Sequence, residues 1–193
     1  FFFRSQTWLI ADYISVPVFA SIKDIMVETI DTDLYSRQIG TFGMETMGKL
    51  IKMNVLIIGQ RGLGVEAAKN LILAGPKSVT MHDPTPVQWG DLSSTFYVKE
   101  SDVGNKSRAE ATYGKLQELN PYVSVNTVPT LAVADLENYH LVLCTEILTN
   151  IDDIRAYNAF CRSKGIGFIL SQNLGAFGYA FLDYGENFMV NDA

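Results

Sequence analysis

Three glycines, an arginine and an aspartate carry the chemistry legible in this chain. Gly59, Gly62 and Gly64 lie in the run Gly59-Gln60-Arg61-Gly62-Leu63-Gly64, and Asp83 follows about twenty residues on. Glycines so spaced let backbone N–H groups and the start of a helix approach a phosphate. An acid at that remove can accept hydrogen bonds from a ribose hydroxyl. These residues are the candidate nucleotide contacts. A dinucleotide fingerprint, however, needs Gly-x-Gly-x-x-Gly, which here falls on positions 59, 61 and 64, and position 61 is Arg61. A bulky cation stands where backbone must come nearest to phosphate. Arg61 either plugs the phosphate site from the side or points to solvent. The pattern speaks for a nucleotide-binding fold and against a working cofactor site, so Gly59, Gly62, Gly64 and Asp83 read as vestigial contacts.

The flanking periodicity shows what must position them. Asn54-Val55-Leu56-Ile57-Ile58 predicts a strand, Val65 to Ala74 a helix stopped by Gly75-Pro76, and Ser78 to Met81 a second strand ending at Asp83. Upstream, Leu34, Gln38 and Ile39 fall at helical spacing. Met44, Met47, Leu50 and Ile51 mark a second helix over Met44 to Lys52, with Gly40 and Gly43 between the two. Downstream, residues 88–97 have no clear period. A helix is expected from Lys106 to Leu119, ended by Asn120-Pro121, then a strand from Tyr122 to Val128 and a connector from Asp135 to Tyr139. Leu141 to Thr145 reads as a buried parallel strand. Ile151 to Lys164 reads as a helix with Ile151, Ile154, Tyr157 and Cys161 inward, and Phe168 to Leu170 as a strand. Gly175 to Val190 reads as short aromatic-rich hairpin strands separated by Gly178 and Gly185. Arg108 and Asp102 read as helix-surface charges, and Glu146 as a solvated loop acid or a displaced metal ligand. Strands alternating with helices predict an α/β fold, a doubly wound, mostly parallel, Rossmann-like sheet.

Composition narrows the classes. The 193 residues are 48% hydrophobic and 19% charged, as in a globular domain, and the net charge of −6 argues against a nucleic-acid surface. Cys144 and Cys161 fall in apolar patterns and read as reduced core thiols; two cysteines alone make no zinc site. Phe1-Phe2-Phe3 opens without a methionine, which reads as a fragment or an odd gene model. The apolar stretch from Trp8 to Ala20 is broken by Asp12 and Pro17, too short for a membrane span, and has little basic character beyond Arg4 for a signal peptide. Residues 1–30 are expected to be a loosely ordered extension outside the main domain, 31–193.

Several segments then carry a resemblance. Leu34-Tyr35-Ser36-Arg37-Gln38, the glycine turn, Ala68-Lys69-Asn70-Leu71-Ile72-Leu73-Ala74-Gly75 and Asp91-Leu92-Ser93-Ser94-Thr95-Phe96-Tyr97 resemble the ubiquitin-activating enzymes, and within them the N-terminal, inactive adenylation domain of ThiF/MoeB type. Gly104-Asn105-Lys106-Ser107-Arg108-Ala109-Glu110 and Leu119-Asn120-Pro121 fit the same pattern. The resemblance implies an enzyme of the ATP-dependent ligase class. It adenylates the ubiquitin C-terminus with ATP and Mg²⁺, captures it as a thioester and passes it to a conjugating enzyme. Two adenylation domains form a pseudo-dimer, and only the second uses ATP. Active members carry an Asn-x-x-Arg-Gln run where this chain has Asp91-Leu92-Ser93-Ser94-Thr95, and an Asp-Asn pair where it has Thr145-Glu146-Ile147. No ATP and no metal are therefore expected on this chain; Lys106 stands near a phosphate-contacting position.

In the family the Tyr-x-Arg-Gln segment reaches across the pseudo-dimer, so the resemblance implies that Arg37 contacts the nucleotide in the partner's active site. A planar, permanently charged fork suits phosphate oxygens; lysine would replace it poorly. The implied partners are the active adenylation domain, ubiquitin and conjugating enzymes, with no nucleic acid and no membrane, and the implied location is cytoplasm and nucleus. The domain would be truncated before the catalytic-cysteine insertion. An isolated half is expected to expose an apolar patch and to self-associate. Alternatives are the regulatory subunit of a SUMO- or NEDD8-type activating enzyme, a standalone ThiF/MoeB-like adenylyltransferase, whose Cys-x-x-Cys pairs are absent, and a nicotinamide-dependent oxidoreductase, which Arg61 disfavours.

Overall fold

The computed structural model describes residues 31–148 and 150–188; the expected 1–30 extension lies outside them. The described residues divide into two compact units, 53–185 and a second comprising 31–52 and 186–188.

In the smaller unit, Asp31 accepts the N–H groups of Asp33 and Leu34 at 3.1 and 3.0 Å, a local turn that starts helix α1 (Ser36–Leu50). Two helices were expected here, parted by Gly40 and Gly43. The chain instead stays helical through Gly40 and breaks at Gly43 alone, where φ is +81° and ψ 161°. Arg37 is exposed in the first turn of α1, and its carbonyl accepts the Thr41 hydroxyl at 2.8 Å.

The larger unit is a six-stranded sheet: β1 (Asn54–Ile58), β2 (Ser78–His82), β3 (Ser124–Thr127), β4 (Leu141–Cys144), β5 (Gly167–Leu174) and β6 (Phe177–Asp183), in the order β3-β2-β1-β4-β5-β6. Every pair is parallel except β5–β6. Helices α2 (Gly62–Ala74), α3 (Arg108–Gln117) and α4 (Ile151–Lys164) make the crossovers. Each has a local reason for its ends. Gly75, with φ +90°, ends α2. Ser107 and Glu110 form a reciprocal cap at the start of α3. Asn150 accepts the Asp152 and Asp153 N–H groups to start α4. The sheet winds outward in both directions from β1 and β4, so crossovers of one hand place helices on opposite faces.

On one face Leu56, Ile58, Val142, Cys144, Phe168 and Leu170 bury against Ile154 and Cys161 of α4 and Leu136. By alternation Val55, Ile57, Val79 and Met81 point the other way, and all are buried. α2 lies on β1 and β2, and α3 on β3 and α2. Ile151, expected inward on α4, is exposed, because the inner stripe begins at Ile154. The tail also differs from expectation. β6 runs unbroken through Gly178 as one strand antiparallel to β5, joined by a turn at Gly175.

Candidate functional site

β1 and β4 are neighbours from which the chain winds outward to opposite sides, so a crevice opens beyond their C-terminal ends. The glycine turn follows β1 there. The Gly59 N–H donates to the His82 carbonyl at 2.9 Å, and its φ is +95°. A Cβ on Gly59 would stand 2.5 Å from the Glu146 Cβ and 2.9 Å from the Thr145 Oγ1. A Cβ on Gly64 would stand 2.0 Å from the Gly59 carbonyl oxygen, and one on Gly62 3.1 Å from that of Ser94. The Thr145 hydroxyl donates between the Ile58 and Gly59 carbonyls, at 3.1 and 3.0 Å. The room these glycines create is thus taken by the chain itself: the segment after β4 on one side, the Ser94 turn on the other.

Asp83, at the end of β2, is fully enclosed. Its Oδ2 accepts the Gln60 N–H at 2.8 Å and its Oδ1 the Thr85 N–H at 3.0 Å. Arg108, first residue of α3, approaches the same carboxylate at 3.7 Å and donates from Nε to the Asp91 Oδ2 at 2.8 Å. Asp91 also accepts the Gln88 N–H at 2.9 Å, which folds the single-turn helix Trp89–Ser93 back over the crevice. Arg61 lies between the last two acids, its Nη1 3.2 Å from the Glu146 Oε1 and its Nε 3.8 Å from the Asp91 Oδ1. Charges therefore alternate in sign along the series Asp83, Arg108, Asp91, Arg61, Glu146, of which the first three are buried.

The Arg61 side chain is half-exposed, and its guanidinium is held between Glu146 and Asp91 rather than turned wholly to solvent. Glu146 is partly buried and paired, not a free loop acid. Arg108 and Asp102 are corrections: both are buried. Burial pulls the Arg108 pKa down, but the Asp91 hydrogen bond and nearby Asp83 outweigh it and hold it above its ordinary value. Asp102 binds the exposed Lys106 at 2.8 Å and accepts the Lys99 N–H at 3.0 Å, and these two contacts hold its carboxyl below its ordinary value. Lys106 is thereby tied to its own loop. The sequence did hold a signal for Arg108. The Ser107-x-x-Glu110 cap fixes the start of α3, and the first helical residue after a crossover faces the sheet's C-terminal edge.

The structure brings Gly59, Gly62, Gly64 and Asp83 together at this edge; Arg37 belongs to the other unit. The Gly59 face packs against Glu146 and the Gly62 face against Ser94, and each oxygen of the Asp83 carboxylate accepts a backbone N–H. Among the described residues no three His, Cys, Asp or Glu side chains converge to hold a metal ion. No helix among them is long and apolar enough to cross a membrane.

Cys144 and Cys161 are free and buried in one core cluster, and burial pushes each thiol up to about 12. Both stay protonated at pH 8 and lack nucleophilic character. A thiol reagent at pH 8 is expected to modify neither cysteine in the native chain and both after denaturation. Rapid native labelling would contradict this.

Residues 35–184 match the ThiF family. The chain is 42% identical over 180 residues to the Homo sapiens ubiquitin-like modifier-activating enzyme 1, covering 93% of this chain and 17% of that protein. It is 46% identical over 164 residues to ubiquitin-activating enzyme E1 1 of Schizosaccharomyces pombe, covering 85% and 16%, and 46% identical over 172 residues to E1 2 of Arabidopsis thaliana, covering 86% and 15%. The chain thus spans about a sixth of these relatives' length. Escherichia coli MccB, solved with succinimide, shares the fold with a TM-score of 0.68 at 18% identity, covering 80% of this chain and 49% of that one.

Proposed function

Since the chain belongs to the ThiF family, we propose that it is the non-catalytic adenylation half of a ubiquitin-activating enzyme. In this reading the whole enzyme adenylates the ubiquitin C-terminus with ATP and Mg²⁺ and carries it as a thioester to conjugating enzymes, in cytoplasm and nucleus. This half scaffolds the ATP-using half and presents Arg37 to its nucleotide. One observation supports the reading: Arg61 stands in the glycine turn with its guanidinium between Glu146 and Asp91, while Ser94 packs on Gly62. Gly59, Gly62, Gly64 and Asp83 are then remnants kept for packing. Gly64 packs against the Gly59 carbonyl, and Asp83 is fully enclosed, with Arg108 beside it and a backbone N–H on each oxygen.

Two further points favour a partnered half over a standalone adenylyltransferase or an oxidoreductase. Asp91, where active members begin the run that ends in their Arg and Gln nucleotide contacts, is buried on Arg108 here. The two thiols are core residues with raised pKa, so thioester chemistry lies elsewhere in the enzyme. The regulatory subunit of a SUMO- or NEDD8-type enzyme is the second reading, favoured only by the same placement of Arg61.

Calorimetric titration of the purified chain with ATP–Mg²⁺ and, separately, with NAD is expected to give no heat of binding in either case. Stoichiometric ATP binding would restore the adenylyltransferase reading, and NAD binding the oxidoreductase one.

A further inference from the structure

We propose that His140 is a pH-sensitive clasp on the leading end of β1, and that a proton on its ring releases the Asn54 amide. Asn54 opens β1, the strand that ends at the glycine turn. Its N–H donates to the His140 Nδ1 at 3.0 Å, and its carbonyl accepts the His140 N–H at 2.9 Å. The His140 carbonyl in turn accepts the Gly167 N–H at 3.0 Å, so this one residue ties together the starts of β1, β4 and β5. The Asn54 side chain is fixed as well, accepting the Ser78 hydroxyl at 2.8 Å and donating to the Asn138 carbonyl at 3.4 Å. A backbone N–H can only donate, so Nδ1 accepts, and the neutral ring carries its proton on Nε2.

A proton on Nδ1 sets donor against donor, and the contact is lost. The residue is exposed, so a proton reaches it without any opening of the fold. Enclosure of its inward side nonetheless pulls the His140 pKa below its ordinary value of 6.5, and the Lys77 cation adds to this. Glu137, in the preceding connector, is held on Lys164 at 2.8 Å, and Asn54, Asn138 and Gly167 bring no charge. The contribution to stability is therefore full above the ordinary value and falls as the pH drops through it, because the unfolded chain takes up a proton that the folded chain resists. His82, the chain's other histidine, is built the opposite way. Its Nδ1 lies 2.9 Å from the Val128 carbonyl, which can only accept, so Nδ1 is a donor there and a second proton on the ring leaves that bond intact. The clasp is independent of the adenylation reading.

Amide hydrogen exchange of the 193-residue chain, followed by NMR at about pH 7.5 and about pH 5.5, brackets the histidine range. After correction for the intrinsic exchange rate, protection at Asn54 is expected to fall by roughly 3- to 10-fold at the lower pH, the worth of one hydrogen bond. Leu56, in the middle of the same strand, should change less. His140→Asn offers a carbonyl oxygen in place of Nδ1, an acceptor that does not titrate, and Asn54 protection should then be equal at the two pH values. Should that variant fail to fold, the parent ring decides. Nitrogen spectra at the higher pH should show His140 with a bare Nδ1 and a protonated Nε2, and the loss at Asn54 should track protonation of that ring and not of His82. An Nδ1–H tautomer, unchanged Asn54 protection, a loss that tracks His82, or an equal loss in His140→Asn would each overturn the proposal.

Discussion

Arg108→Met is expected to lower the stability of the chain by about 3–5 kcal/mol, the cost of leaving buried charges without their partner. Methionine keeps most of the stem's volume, so the loss would be electrostatic. It would leave Asp91, buried at the crevice, with the Gln88 N–H and the distant Arg61, and Asp83 with two backbone donors but no cation. Because Arg108 is held above its already high ordinary pKa, it is charged at every accessible pH, and no pH change compensates for its removal. Urea titration by circular dichroism measures the loss. The melting temperature should fall by about 10 °C, at 2–4 °C per kcal/mol for a chain of this size. Arg61→Met is the contrast. Its guanidinium is half in solvent, so the same substitution should cost less than about 1 kcal/mol. In a double-mutant cycle with Asp91→Asn, Arg108→Met should show a coupling above about 1 kcal/mol. A loss of similar size for both arginines would mean that the interior end of the charge series does not hold the crossover.

That contrast marks where the sequence stopped being legible. The strands around the site could be read because their cause is local. Val55 to Ile58 and Leu141 to Cys144 are apolar runs that only a sheet covered on both faces can bury. The turn could be read because glycines are needed where backbone meets backbone. What the backbone meets could not be read. A phosphate and the chain's own Glu146 demand the same small residue at Gly59, so the motif looks alike whether the site works or is filled. Arg108 was misplaced for a related reason. Helical periodicity sorts residues by the face of their own helix, whereas Arg108 is buried by a distant segment, residues 88–95, that has no period and folds over it. Gly178 was read as a break because glycine weakens a strand. At a sheet edge, with seven residues in register on β5, it does not end one.

Arg37→Ala in the complete enzyme is expected to slow ubiquitin-dependent ATP–pyrophosphate exchange by about 10- to 1,000-fold, below the 10³–10⁵ that an arginine supplied in trans contributes in GTPases. The smaller range follows from the chemistry. On the proposed reading the ATP-using half brings its own Mg²⁺, so one additional guanidinium would share the phosphate charge with groups already present. Arg37 is exposed in the first turn of α1 and makes no ion pair among the described residues. Its loss should therefore leave the fold intact, and unfolding of the 193-residue variant should match that of the parent chain. The form of the defect matters as much as its size. A group that touches phosphate mainly as charge develops lowers kcat with little change in the KM for ATP, whereas one that only aids binding raises KM. Arg37→Lys should recover a minor part of the rate, because a point charge cannot reproduce a two-pronged contact. Exchange at the parent rate in Arg37→Ala, or full recovery by lysine, would remove the guanidinium from the reaction and leave this half a scaffold alone.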